Sequence, residues 1–158
     1  MSEKTEVFMA KIIAAIIIIL AIVQACEAAD KIAELLAKYN KTQAGAFAAI
    51  VREAGEEYGI EPEIIASIIV VESGARSHVI SKDGDYGLMQ VRYKVHADKV
   101  GNANELLDPK TNVFVGTGIF AQYYRQKKTL RGALVRYSGG NKKMAEKVLR
   151  ILKNEYGY

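Results

Sequence analysis

The sequence contains no tryptophan, one cysteine, two histidines and two prolines in 158 residues. A single Cys excludes an intramolecular disulfide, and one Cys with two His cannot assemble a Cys-rich or His-rich zinc centre. Stability must therefore come from a packed core. Half of the residues are hydrophobic and a quarter are charged, the composition of an ordinary globular domain rather than a disordered or fibrous chain. Without Trp, the nine Tyr and four Phe supply all the large rings.

The formal net charge of +4 is an average over unlike segments. Residues 27–75 hold four Lys/Arg against nine Asp/Glu, whereas residues 76–158 hold sixteen against seven. The excess concentrates in residues 125–158, where ten Lys/Arg face only Glu146 and Glu155. Such a run is a solvated helical surface, or else a surface that attracts an anionic polymer or membrane.

Long apolar runs are absent with one exception, Ile12 to Val23, which contains no polar side chain. Twelve residues are short for a bilayer-spanning helix, which needs roughly 20 at about 1.5 Å each, but they suit the core of a signal peptide. Small residues follow at Ala25, Ala28 and Ala29, and Val23-Gln24-Ala25-Cys26 loosely resembles a lipoprotein box, making Cys26 a candidate lipidation site. Residues 1–28 are expected to be a signal peptide or N-terminal membrane anchor, and residues 29–158 the functional domain. The alternative is an uncleaved buried helix, against which four consecutive Ile with no polar face argue.

From Asp30 the apolar spacing becomes helical. Asp30 can cap a short helix carrying Ile32, Leu35, Leu36 and Tyr39. Phe47, Ile50, Val51, Ala54 and Tyr58 form one stripe of a second helix, with Gly59 where a left-handed C-terminal cap is wanted. Pro62 opens a third helix, almost entirely apolar through Val71, which should be the central one. Ser73 to Asp85 reads as a loop with a short ribbon around Val79-Ile80. Further helices are predicted over Asn112 to about Arg125, Leu130 to Tyr137 and Met144 to Leu152, so the fold class is mainly α.

Glu72 lies seven, four and three residues after Ile65, Ile68 and Ile69, so on a helix it projects from their face. Hydrocarbon surroundings disfavour a charged carboxylate and raise its pKa, which suits a general acid. A Glu at a fraying helix end, turned to water, is the alternative.

Val71-Glu72-Ser73-Gly74, then Ser81, Gly87-Leu88-Met89-Gln90, Asn112-Val113-Phe114-Val115-Gly116 and Arg136-Tyr137-Ser138-Gly139-Gly140 together resemble the soluble lytic transglycosylase family of the lysozyme-like superfamily. The resemblance covers roughly residues 44–150. It implies a lysozyme-like α domain with a small loop or β-ribbon segment after the catalytic helix. It also implies cleavage of peptidoglycan between N-acetylmuramic acid and N-acetylglucosamine, leaving 1,6-anhydro ends, with Glu72 as acid and then base and no cofactor. One carboxyl suffices where the substrate's own N-acetyl oxygen stabilises the cation.

By the same resemblance Ser81 would bond the catalytic carboxyl or the sugar N-acetyl group, and Tyr137 would orient Glu72. Gln90 would hold substrate or brace the cleft wall, and the backbone of Leu88 and Met89 would line the cleft. Asp83 and Asp85 form a solvated turn or else position a water, which would turn the outcome to hydrolysis, as in a goose-type muramidase. Tyr93, Tyr123 and Tyr124 are candidates to stack on sugar faces. A noncatalytic wall-binding subunit that keeps the fold is the reading from another class. The resemblance places the domain outside the cytoplasm, in the cell envelope or periplasm, with peptidoglycan glycan strands as its partner.

Other motifs fail. Gly116-Thr117-Gly118 lacks a third Gly and a preceding strand, so close helix packing is the better reading. His78 and His96 are eighteen residues apart without Cys partners. The Lys127-Lys128 and Lys142-Lys143 pairs belong to no nucleic-acid-binding module.

Overall fold

The structure is a computed structural model that describes the backbone from residue 3 onward and the side chains of residues 6–20 and 31–158. Two compact units are present, Met1–Lys31 and Ile32–Tyr158. The first helix, α1, runs Glu3–Ala37, so no new helix begins at Asp30. The segment Gln24 to Lys31 is built from Ala, Glu, Gln, Lys, Cys and Asp with neither Gly nor Pro, and nothing in it forces a break. The side chains of Cys26 and Asp30 lie outside the described residues.

In the first unit, the large apolar side chains from Val7 to Leu20 are 38–63% exposed. Among the described residues no helix is long and apolar enough to cross a membrane.

The second unit is built on α2 (Ala44–Tyr58), α3 (Pro62–Ser73), α5 (Pro109–Lys127), α6 (Leu130–Tyr137) and α7 (Lys142–Ile151). A short helix α4 (Tyr93–His96) and two 3-10 turns connect the ribbon to α5. Helix α3 packs against α2 and α7, and α5 packs against α2 and α6. Ile64, Ile65, Ile68 and Ile69 are at most 2% exposed, which makes α3 the centre of the core. Each such side chain contributes about 1.5–3 kcal/mol of burial.

The helix boundaries follow local chemistry. Pro62 occupies the first turn of α3, where its missing N–H would be unpaired anyway, and the left-handed Gly59 and Gly74 close α2 and α3. Helix α5 starts at Pro109, one turn before the expected Asn112, because Asp108 caps it by accepting from the Thr111 N–H at 2.8 Å. Thr129 and Asn141 cap α6 and α7 in the same way.

The ribbon lies later in the chain than the expected Val79-Ile80. Strands β1 (Asp85–Tyr86) and β2 (Val91–Arg92) pair antiparallel with Asp85 opposite Arg92 and Tyr86 opposite Val91, and Ile80 adds one bridge to Tyr86. Gly87-Leu88-Met89-Gln90 is therefore the loop of a hairpin. Two-residue strands carry no readable alternation, so only the pairing reveals them.

Candidate active site

The hairpin loop does not lie on the surface. Leu88 and Met89 are fully buried, and Asn112 of α5, itself fully buried, ties the loop to strand β1 and to the turn before α5 by three hydrogen bonds. Its Oδ1 accepts from the Met89 N–H, and its Nδ2 donates to the carbonyls of Tyr86 and Leu106, each at 2.7 Å. Gly87 has φ +72°, and a Cβ there would stand 2.4 Å from both Asn112 Nδ2 and the Leu106 carbonyl. One turn along α5, a Cβ on Gly116 would meet Met89 Sδ at 2.7 Å and the Tyr137 hydroxyl at 3.1 Å. The Asn and Gly of Asn112-Val113-Phe114-Val115-Gly116 thus perform one task. The amide satisfies the loop's buried backbone, and the missing side chain admits its methionine.

With the loop pinned inside, the residues flanking it border a cleft of about 440 Å³. Glu72 comes from the last turn of α3, Asp85 and Arg92 from the ribbon, Gln90 from the loop, and Tyr123, Arg136 and Tyr137 from α5 and α6. Ser138, Gly139 and Asn141 line it from the α6–α7 break.

The Glu72 carboxyl is pushed up to about 7, first by burial and second by the negative charge of Asp85. Asp85 is held by a two-point contact from Arg92, Nε to Oδ1 at 2.7 Å and the second guanidinium nitrogen to Oδ2 at 3.0 Å. The Ser81 hydroxyl donates to Asp85 Oδ2 at 3.0 Å and accepts from the N–H groups of Asp83 and Asp85. Ser81 therefore reaches the site through Asp85, and no bond from it to Glu72 is present among the described residues. Asp83 is exposed and stands outside the cleft lining. It belongs to the tight turn that Ser81 closes.

Tyr137 lines the cleft, but its hydroxyl donates to the Met89 carbonyl at 2.9 Å rather than to Glu72. Burial, then the nearby Glu72 charge, pushes the phenol well above its ordinary value, so it stays a neutral donor. The Gln90 Nε2 donates to the carbonyls of Gly87 (2.9 Å) and Val79 (3.2 Å), so the side chain that lines the cleft braces its wall through the nitrogen. Leu88 and Met89 differ from expectation. Neither lines the cleft, because both side chains fill the core and both backbone polar groups of Met89 are bonded to Asn112 and Tyr137.

Of the three Tyr considered for sugar stacking, only Tyr123 lines the cleft. Tyr93 packs edge-on against Tyr86 and Tyr124 stacks on Phe120. Arg92, Arg136, His96 and Asn141 also line the site, although the sequence reading assigned none of them a role there. Their signal was position, since Arg92 follows the Gly-Leu-Met-Gln-Val stretch and Arg136 precedes the motif Tyr. His96 is held below its ordinary value by burial and then by Lys99. Among the described residues no group of three or more His, Cys, Asp or Glu could hold a metal ion.

A carboxyl poised near neutrality in a cleft lined by polar side chains is equipped for acid and base work on a polar substrate. The pattern of the transglycosylase SLT domain family matches residues 49–154, a span that includes every cleft residue named above. The chain belongs to this family. Among its relatives, an endo-type membrane-bound lytic murein transglycosylase A of Citrobacter koseri is 35% identical over 77 aligned positions, covering 43% of this chain and 38% of the relative. Proteins of the same name from Cronobacter sakazakii and Klebsiella pneumoniae are 31% and 33% identical, over 43% and 42% of this chain and 38% and 37% of the relatives. The similarity to these relatives thus spans less than half of their length. The SLT match ends beyond α7 and so takes in both the ribbon and the helical side of the cleft.

Proposed function

We propose that this domain is a peptidoglycan lytic transglycosylase in which Glu72 is the sole acid and base. The observation that carries this reading is the Glu72 carboxyl, in the cleft and raised to about 7. Near pH 6 it is largely protonated and can donate to the oxygen joining N-acetylmuramic acid to N-acetylglucosamine. That C–O bond breaks, and the proton leaves on the 4-hydroxyl of N-acetylglucosamine. The muramoyl N-acetyl oxygen stabilises the electron-poor anomeric carbon, as in substrate-assisted glycosidases. Glu72, now a carboxylate, takes the proton of the muramoyl 6-hydroxyl while that oxygen bonds to the anomeric carbon. The carboxyl is restored and no water is consumed. Support comes from the family membership and from relatives named as lytic murein transglycosylases.

Asp85 favours a second reading, hydrolysis, because a carboxylate in the same cleft could hold a water. End-group mass spectrometry of digested sacculi separates the two. Anhydro ends are expected, and free reducing ends one water heavier would overturn the transglycosylase assignment. Glu72→Gln is expected to lower digestion by about 10²–10⁴-fold, the usual worth of a general acid. Unchanged digestion by that variant would overturn Glu72 as the acid and base, and none by the wild type would leave a noncatalytic wall-binding role.

Residues 1–28 fit an export signal or N-terminal anchor in this reading, which carries the domain to the envelope. The exposed apolar side chains of Val7 to Leu20 support it. Fractionation with the intact mass of the mature chain tests it, and an added lipid on Cys26 would appear in that mass.

A further inference from the structure

The charges of the cleft do not balance evenly along its walls. Arg92 is committed to Asp85 through two bonds, so those two opposite charges offset each other within the ribbon. Arg136 is different. Its guanidinium lies 5.3 Å from the centre of the Tyr123 ring, and both residues line the cleft. Among the described residues no carboxylate pairs with it. A guanidinium stacked on a ring keeps its planar edge of N–H donors free and already oriented. Exposed on α6 one residue before Tyr137, it lines the cleft from the helical elements. Nearby, α7 begins with Lys142-Lys143, so no acidic side chain in its first turn competes for that donor edge.

When Glu72 is protonated, as the acid step requires, Arg136 is the cleft guanidinium left without a carboxylate partner among the described residues, Arg92 being held by Asp85. We propose that Arg136, oriented by Tyr123, is a specificity-determining residue that binds a carboxylate of the substrate. The proposal rests on the peptidoglycan reading, whose polymer offers that group from two sources. One is the peptide stem. The other is the lactyl group of muramic acid once its stem has been removed. A forked guanidinium suits either, because two parallel N–H donors match the two carboxylate oxygens.

Binding tests the proposal separately from catalysis. The full chain carrying Glu72→Gln is titrated with solubilised glycan strands in four forms: stems with free carboxylates, stems with amidated carboxylates, stem-free strands with free lactyl groups, and chitooligosaccharides, which have no carboxylate. Adding Arg136→Gln should weaken binding of a carboxylate-bearing form by about tenfold, the worth of one charge-assisted contact, and leave chitooligosaccharides unchanged. A loss confined to free-carboxylate stems assigns the stem, and a loss on stem-free strands assigns the lactyl group. Arg136→Lys, which keeps the charge but not the fork, should fall between. Equal weakening on all four forms, or none on any, overturns the proposal. In the otherwise wild-type enzyme the same change should raise KM on the assigned form with little change in kcat. Absence of Glu72-dependent cleavage would overturn the activity instead, leaving the binding result to stand alone.

Discussion

On the ribbon side of the cleft the described polar groups are largely engaged within the protein: Asp85 by Arg92 and Ser81, and the Gln90 amide nitrogen by two carbonyls. On the helical side Arg136 rests on a ring, and it, Gly139 and Asn141 are exposed. The two walls therefore serve different ends. A side whose donors and acceptors are already satisfied presents Glu72 with a constant electrostatic surrounding, which is how a raised proton affinity persists. A side with open donors can exchange water for substrate.

That contrast breaks most readily at Asn112. Asn112→Ala leaves the Met89 N–H and two carbonyls without their buried partner, and a loss of about 2–4 kcal/mol is expected in denaturant unfolding. A midpoint unchanged from wild type would mean that the loop is not held as described.

Next comes the stability cost of Glu72 itself. Its native pKa of about 7 lies above the ordinary 4.5, so between these values the folded state binds more protons than the unfolded one. Stability from this group is full below about pH 4.5 and falls as pH rises toward about 7, by on the order of 3 kcal/mol. Glu72→Gln should remove that slope, and thermal melts of both proteins from pH 4.5 to 8 measure it.

A smaller effect is expected from Asp85→Asn. Removing a negative charge that raises Glu72, and freeing Arg92, should both lower the Glu72 pKa, so the alkaline limb of the activity profile moves to lower pH. A limb that stays in place would leave burial as the only cause.

The smallest change belongs to the open wall. The Ser138 hydroxyl, with one proton to give, lies within donating distance of the carbonyls of Val135 (3.1 Å) and Asn141 (3.0 Å) at the half-exposed helix break. Ser138→Ala should cost about 1 kcal/mol or less, well below Asn112→Ala. Equal costs would erase the distinction between the walls.

The sequence made the helical frame readable because its cues are local. The Phe47–Tyr58 stripe, Pro62 ahead of the Ile run and Gly59 as a left-handed cap all act within a turn or two, and α2 and α3 follow them. Glu72 was legible for the same reason, being three, four and seven residues from three buried Ile. The hairpin loop was not, because its position depends on Asn112, which follows Met89 by 23 residues. No periodicity in Gly87-Leu88-Met89-Gln90 distinguishes a cleft-lining loop from one drawn into the core. Ser81 likewise carried a role whose immediate target, Asp85, becomes apparent only when the turn is closed.

The Tyr137 hydroxyl bond to the Met89 carbonyl joins the helical side to the ribbon loop beneath the cleft. Any parting of the two sides there must break that bond. Separating them at this point would leave the buried Met89 carbonyl without its donor, at a cost of about 1–3 kcal/mol, so the folded width of the cleft is favoured before any ligand arrives.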